Sequence, residues 1–201
     1  QSPLELGADI VLHSTTKYIN GHSDVVGGAV VAKDPELVEE LAWWANCLGI
    51  TGSPFDSFQT MRGLRTLNVR YRQHEENAAA VVEFLESHPR VEKVYYPGLA
   101  SHPGHETAAR QQKSFGAMIS FELKGDDSAV PAFLEQLELF TLAESLGGVE
   151  SLVAHPCTMT HAAMAAEDHA AAGHSSRPLR LSNGIEHAGD LIADLERGLG
   201  A

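Results

Sequence analysis

The sequence predicts a mixed α/β chain whose carboxy-terminal part is a small α+β layer. Two short apolar runs rich in branched residues, 9–13 and 28–32, are typical of buried strands. A helical stretch follows them. After Pro89, short strands and helices are mixed without the regular order of a βαβ series. We therefore expect two domains, residues 1–74 and 75–201, with the boundary inside the helical stretch.

Three helices are predicted before Pro89. Asp34 is expected to cap the first, residues 36–46, because an aspartate accepts backbone N–H groups at a helix start and the proline after it suits the first turn. A second helix is predicted over residues 56–71, broken or bent near Gly63. The third, residues 75–87, has the apolar spacing of an amphipathic helix.

The carboxy-terminal part is predicted to contain five strands and three helices. The strands are expected at residues 91–96, 117–123, 140–143, 151–154 and 179–182. The helices are expected at residues 106–112, 129–137 and 188–198.

Composition excludes some classes of function. The chain has 27 acidic and 14 basic residues in 201, a formal charge of -13, whereas nucleic-acid binding needs clustered Lys and Arg. The two cysteines, Cys47 and Cys157, form no redox or metal motif, which favours a reducing, cytoplasmic location. No apolar run approaches the roughly 20 residues that span a bilayer.

The most informative segment is residues 13–24, with the sequence HSTTKYINGHSD. Lys17 follows a strand end, and a lysine amine in such a place forms a Schiff base with an aldehyde when its surroundings lower its pKa. The hydroxyls of Ser14 and Thr16 are close enough in sequence to hold a phosphate beside it. An aldehyde with a phosphate describes pyridoxal 5'-phosphate. The alternative is a solvated loop lysine with hydroxyls that only end a strand.

Residues 14–18 and 21–24 resemble the cofactor-lysine signature of the Cys/Met-metabolism enzymes that use pyridoxal phosphate. The resemblance covers about residues 4–199, and the segment WWAN at residues 43–46 most resembles the bacterial γ-synthase branch. It implies the aspartate aminotransferase-like, type I fold. This chain would then be the end of a mostly parallel-sheet large domain, followed by the small α+β domain.

The resemblance also implies roles for site residues. Lys17 would carry pyridoxal 5'-phosphate as a Schiff base, with Ser14 and Thr16 on its phosphate. Arg180, an arginine between leucines in a short strand, would bind the substrate α-carboxylate, for which its planar fork is suited. The alternative is that Arg180 forms an internal salt bridge with a carboxylate of the protein. Three more residues would line or support the substrate pocket: Glu144, Ser145 and Thr160.

The implied reaction is γ-replacement on an O-acylated homoserine by cysteine, in methionine biosynthesis or transsulfuration. A γ-lyase elimination is the enzymatic alternative. The alternative of another class is an inactive fragment or a metal-binding module, because His155, Cys157 and His161 lie within seven residues. Their spacing matches no standard zinc site, so no metal is expected.

Several family parts are not found in this sequence. A tyrosine that stacks on the cofactor, an aspartate on its ring nitrogen and a glycine-rich phosphate loop are expected before Gln1. We expect a homotetramer, a dimer of dimers, that acts on small amino acids and binds neither nucleic acid nor membranes. A polypeptide that began at Gln1 would have little activity.

Overall fold

Two units make up the chain, Gln1–Asn68 and Val69–Ala201. The computed structural model describes residues 1–159 and 177–200. The chain passes from one unit to the other inside a single helix. The assignment of the two parts to a large and a small domain, with the boundary at residue 74, stays a prediction.

The first unit contains an antiparallel pair of strands. β1 (Ile10–Ser14) pairs with β2 (Gly28–Ala32), so that Ser14 lies opposite Gly28. Both strands were predicted. The pairing is antiparallel because the segment between the strands is a tight turn and a loop rather than the crossover helix that parallel pairing needs.

Helix α1 (Pro35–Leu48) has the predicted start. The carboxylate of Asp34 accepts a hydrogen bond of 2.9 Å from the backbone N–H of Glu36, which satisfies one of the open donors at the helix start. The helix ends at Gly49, whose φ of 69° is the left-handed conformation that glycine adopts without steric cost.

Trp43 and Trp44 lie on α1 and are exposed. Their side chains retain 58% and 47% of their accessible surface, and their rings meet edge to face with centroids 4.7 Å apart. The sequence predicts one of them in the core or at a subunit interface. Within the described residues α1 buries none of its residues, and the prediction of a core or interface position stays a prediction.

Helix α2 (Pro54–Ser87) replaces the two helices predicted over this region. The expected interruption does not occur, because no proline follows Pro54 within the helix and one internal glycine costs only about 1 kcal/mol. That glycine, Gly63, is buried. None of the helices in the described ranges combines the length and the apolar character that crossing a membrane requires.

The second unit is built on a five-stranded mixed sheet with the strand order β3-β4-β7-β6-β5. Among the strand pairs of the described residues in this sheet, β5–β6 is parallel and the other three are antiparallel. The α+β character predicted for this part of the chain is confirmed. The strands are β3 (Val91–Tyr95), β4 (Met118–Leu123), β5 (Thr141–Leu142), β6 (Leu152–Ala154) and β7 (Pro178–Ser182). Its further helices are α3 (His105–Gln111), α4 (Ala129–Glu135) and α5 (Ala188–Leu199).

One face of this sheet packs against α4, which in turn contacts α5. Alternate residues of β4 are buried, and the ring of Phe121 meets that of Phe133 on α4 edge to face, with centroids 5.7 Å apart. Helix α5 buries Leu191 and Leu195. Each fully buried side chain of this size stabilises the fold by about 1.5–3 kcal/mol. The core therefore fixes β7, which carries Arg180.

Asp194 on α5 fixes the chain that enters β5. Its carboxylate, 1% exposed, accepts hydrogen bonds from the backbone N–H groups of Glu138, Leu139 and Phe140 at 2.8–2.9 Å. Arg197 donates a further bond of 2.8 Å. A buried carboxylate needs such donors to offset the loss of water. The segment that leads into residues 141–148 is thereby held on α5.

Candidate active site

Lys17 lies in a short helical turn, Thr15–Ile19, directly after β1. Its backbone angles, φ -90° and ψ -135°, depart from those of a helix. The carbonyl of Lys17 accepts a hydrogen bond of 2.8 Å from the N–H of Gly21, and that of Thr15 accepts one of 3.0 Å from Asn20. The half-buried lysine side chain therefore leaves a backbone whose geometry is fixed on both sides.

The two predicted phosphate-binding hydroxyls differ in their surroundings. The hydroxyl oxygen of Thr16 accepts a hydrogen bond of 3.0 Å from the N–H of Gly27. It also lies 3.3 Å from the carbonyl oxygen of Gly27. Ser14 is exposed and does not cap the turn with its side chain. The structure thus places Thr16 on the Lys17 turn, oriented by Gly27, and Ser14 at the end of β1 directly before the turn.

Gly27 is a residue that the sequence reasoning missed. Its carbonyl accepts a hydrogen bond of 2.9 Å from the N–H of Thr15. A Cβ at this position would lie 2.9 Å from the Thr15 hydroxyl, closer than a real side chain tolerates. The signal in the sequence was the pair Gly27-Gly28 at the start of β2, where a backbone approaches another closely.

The donor set of this turn fits an aldehyde that carries a phosphate. Lys17 offers a primary amine, which is the group that condenses with an aldehyde. Ser14 and Thr16 offer hydroxyl donors within three residues of it. The absence of a side chain at Gly27 leaves space for the Thr15 hydroxyl, which would lie 2.9 Å from a Cβ there. The residues present are therefore compatible with pyridoxal phosphate.

In the second unit, the structure brings Arg180 and Ser145 together. Arg180 lies on the half-buried side of β7, opposite Ser120 of β4 and Ala154 of β6. Its Nη2 donates a hydrogen bond of 2.6 Å to the carbonyl oxygen of Ser145. This bond restricts the orientation of the guanidinium group, and a defined orientation favours bidentate recognition of a carboxylate.

Ser145 has an unusual backbone conformation. Its φ of 77° lies in the left-handed region, which costs a residue with a Cβ about 1–2 kcal/mol. Such conformations persist where the surroundings impose them, and they are frequent at functional sites. Glu144, the neighbouring candidate, is exposed. The turn over residues 144–148 thus has a conformation held by tertiary contacts rather than by local preference.

Ser182 provides such a contact to the turn, and Glu186 holds Ser151, which follows it; the sequence reasoning missed both residues. The hydroxyl of Ser182 accepts a buried hydrogen bond of 2.8 Å from the N–H of Gly147. The carboxylate of Glu186 accepts bonds of 2.8 and 2.9 Å from the N–H and the hydroxyl of Ser151. Short polar residues beside a Gly-Gly turn were the only signal available in the sequence.

The histidine-containing segment is described only in part. His155 is buried, and its Nδ1 lies 2.9 Å from the hydroxyl of Thr158. Burial raises the pKa of the Cys157 thiol. Within residues 1–159 and 177–200, no three His, Cys, Asp or Glu side chains are grouped to hold a metal. Thr160 and His161 lie outside the described residues.

Comparison with known proteins extends these observations. The family model for Cys/Met metabolism PLP-dependent enzymes matches residues 1–200. The chain is 62% identical over 201 residues to cystathionine γ-synthase of Escherichia coli K12, a match that covers 100% of this chain and 52% of the relative. It is 53% identical over 199 residues to cystathionine γ-lyase of Dictyostelium discoideum, covering 99% of this chain and 51% of the relative.

A solved structure gives the same result for the fold. The crystal structure of cystathionine γ-synthase from Xanthomonas oryzae pv. oryzae, in complex with aminoacrylate and cysteine, superposes with a TM-score of 0.95 at 68% identity. The match covers 100% of this chain and 52% of that one. This chain therefore spans about half the length of the relatives it matches.

Proposed function

This chain belongs to the family of PLP-dependent enzymes of Cys/Met metabolism, and from that membership we propose that it is the carboxy-terminal part of a cystathionine γ-synthase. The proposed substrates are an O-acyl-L-homoserine, succinylated or acetylated, and L-cysteine. In the reaction the Cγ–O bond breaks and a carboxylate leaves with its electron pair. The cysteine sulfur forms the new Cγ–S bond and its thiol proton is lost to the medium.

The observation that carries this proposal is the Arg180–Ser145 hydrogen bond. An amino-acid substrate presents an α-carboxylate, and a guanidinium with a defined orientation binds it through two parallel N–H donors. Arg180 is restricted in this way by the Ser145 carbonyl at 2.6 Å. Each such charged hydrogen bond contributes about 1.5–3 kcal/mol. Arg180 therefore orients the substrate, and the turn over residues 144–148 shapes the space beside it.

In the proposal Lys17 holds the cofactor, and Ser14 and Thr16 hold its phosphate. When bound, pyridoxal phosphate supplies an electron sink that makes the Cα–H bond of an amino acid acidic. Once the substrate amine has displaced it, the Lys17 Nζ takes a proton from Cα and transfers protons at Cβ. Glu144 and Ser145 are assigned to substrate contact. Thr160 is assigned to support of Arg180, although it lies outside the described residues.

Two relatives of the chain carry the names of different reactions, a γ-synthase and a γ-lyase. The synthases of Escherichia coli and Xanthomonas oryzae are 62% and 68% identical to the chain, against 53% for the γ-lyase of Dictyostelium discoideum. We therefore rank γ-replacement first and γ-elimination from cystathionine or a related thioether second. A homotetramer built as a dimer of dimers, in the cytoplasm, completes the proposal.

The first experiment tests cofactor attachment. The protein expressed from its complete reading frame is reduced with borohydride, digested and mapped by mass spectrometry. We expect a pyridoxyl adduct on the peptide that contains Lys17. A reduced protein that has no adduct and contains stoichiometric zinc, when purified without a histidine tag, would support the metal-binding alternative instead.

The second experiment separates synthase from lyase. We expect cystathionine when O-succinyl- or O-acetyl-homoserine and cysteine are supplied together. A lyase would form an α-keto acid and ammonia from cystathionine alone. Rapid release of ammonia from cystathionine, with no consumption of acyl-homoserine, would reverse the ranking.

A further inference from the structure

The backbone of Asn20 and Gly21 fixes the far end of the Lys17 turn. Asn20 is 1% exposed, and its N–H donates a hydrogen bond of 3.0 Å to the carbonyl of Thr15. The N–H of Gly21 donates one of 2.8 Å to the carbonyl of Lys17. Because both bonds end inside the turn, a displacement of the Asn20 peptide displaces the backbone that carries the Lys17 side chain.

Helix α2 contacts this peptide at Gly63. A Cβ at position 63 would overlap the Asn20 carbonyl oxygen and would lie 2.8 Å from both its carbonyl carbon and its Cα. All three atoms belong to the backbone, so no side-chain rotation relieves the overlap. Since carbon atoms pack at about 3.5–4.0 Å, a methyl group here would shift the peptide by roughly 1 Å.

The need for glycine at this position comes from that contact alone. The φ of Gly63 does not lie in the left-handed region, so a residue with a side chain can adopt its backbone angles. In a helix, alanine is ordinarily more favourable than glycine. A glycine that is both buried and inside the longest helix is therefore explained by the approach of Asn20.

Asp24 provides a second connection between the turn and α2. Its Oδ1 accepts a hydrogen bond of 2.7 Å from the side-chain amide of Asn20, and its Oδ2 accepts one of 3.1 Å from that of Gln59. Gln59 and Gly63 are four residues apart and share one face of the helix. The hydrogen bond from Asn20 lowers the pKa of Asp24, so the carboxylate that joins the two amides stays ionised at neutral pH.

We propose that Gly63 and Asp24 are positioning residues that set the location of Lys17 through the Asn20 peptide. The inference rests on the proposed function, in which Lys17 holds the cofactor and moves protons at Cα. Neither residue is assigned to substrate or cofactor. Their effect is to hold the lysine backbone within the narrow tolerance that proton transfer requires, because a misplacement of about 1 Å costs a reaction about 10²-fold.

The test uses Gly63→Ala in the protein expressed from its complete reading frame. We expect kcat to fall about 10²-fold with KM nearly unchanged. Covalent attachment of pyridoxal phosphate to Lys17, measured by timed mixing, borohydride reduction and peptide mass, is expected to slow as well. The matched control is Gly189→Ala on α5, where the added Cβ meets only ring atoms of His187, at 3.1 Å. The control is expected to behave as wild type in both measurements.

Asp24→Asn is the second variant, and it decides the question if Gly63→Ala does not fold. The side chain keeps its size, but its new NH₂ group replaces one of the two carboxylate oxygens. That group cannot accept the hydrogen bond from Asn20 or Gln59 that the oxygen accepted. We expect slower attachment and a lower kcat, in the same direction as Gly63→Ala.

The outcomes separate the two proposals. A wild-type protein that forms no adduct on Lys17 overturns the proposed function. A wild-type protein with the adduct, together with variants that attach the cofactor and turn over at the wild-type rate, overturns the positioning role alone. The positioning role is also overturned if the variants lose thermal stability but keep the wild-type attachment rate and kcat, because a merely structural contact would give that result.

Discussion

The guanidinium of Arg180 donates a 2.6 Å hydrogen bond to the carbonyl of Ser145, a residue 35 positions away in the sequence. Ser145 reaches this position with a φ of 77°. The bond therefore connects a strand of the core sheet to a turn with an unfavourable backbone conformation. Arg180 is held by the same turn that is proposed to contact the substrate.

Replacement of Arg180 by lysine is expected to lower kcat/KM for the amino-acid substrate by about 10–100-fold, because one charged hydrogen bond contributes about 1.5–3 kcal/mol. Lysine keeps the charge but lacks the planar fork. Steady-state kinetics at full cofactor occupancy measure the effect. Arg72→Lys is the control, since Arg72 is exposed and only pairs at 4.0 Å with Glu76. Equal losses in both variants would contradict a substrate role for Arg180.

Two substitutions separate the backbone of Ser145 from its hydroxyl. Ser145→Gly is expected to stabilise the protein by about 1 kcal/mol, because glycine adopts φ 77° without the cost that a Cβ imposes. Ser145→Ala keeps that cost and removes only the hydroxyl. If the hydroxyl contacts the substrate, both variants lose activity, while only the glycine variant gains stability in urea. An alanine variant with wild-type kinetics would exclude the hydroxyl from the site.

His74 is expected to make stability dependent on pH. Burial lowers the pKa of this fully buried histidine. Two interactions raise this pKa again: the hydrogen bond of 2.7 Å to the Asn183 carbonyl and the negative charge of Glu186. The positive charge of Arg70 lowers the pKa further. Because the folded pKa is below the unfolded value of about 6.5, the unfolded state binds more protons, and stability falls as pH drops below that value.

The variant His74→Asn keeps a donor for the Asn183 carbonyl but does not titrate. We expect its free energy of unfolding to fall less between pH 7 and pH 5 than that of the wild type. Measurement at about pH 8, where the histidine is neutral in both states, gives the cost of the substitution itself. Parallel pH profiles for the two proteins would show that His74 is not responsible.

Replacement of Asp194 by asparagine is expected to cost about 2–4 kcal/mol of stability, since it leaves buried backbone N–H groups without an acceptor. The carboxylate accepts bonds from the three consecutive residues 138–140. Glu138→Gln is the control, because the Glu138 side chain is 75% exposed in its ion pair with Arg197, and such pairs contribute about 0–1 kcal/mol. Urea denaturation of the two variants compares them. A loss no larger than that of the control would contradict the assigned role.

The sequence predicted most elements because their signals are local. The Asp34 cap and the following proline placed the start of α1. The alternation at residues 117–123 predicted a half-exposed strand, and β4 shows that pattern of burial. The predicted break near Gly63 was wrong. A glycine signals flexibility in a sequence, but here the helix continues through Gly63, and the Asn20 backbone lies where a side chain would be.

The sequence by itself pointed to the family, the cofactor class and the lysine to test, because residues 13–24 resemble the cofactor-lysine signature of that family and place an amine beside two hydroxyls. Only the tertiary structure decided what holds these groups in place. Gly63 meets Asn20, Arg180 meets Ser145, and Asp194 meets residues 138–140, all across long separations in sequence. Such contacts depend on how the elements pack against one another. A local sequence pattern does not show which distant backbone group will be hydrogen-bonded by a side chain or will pack directly against a glycine.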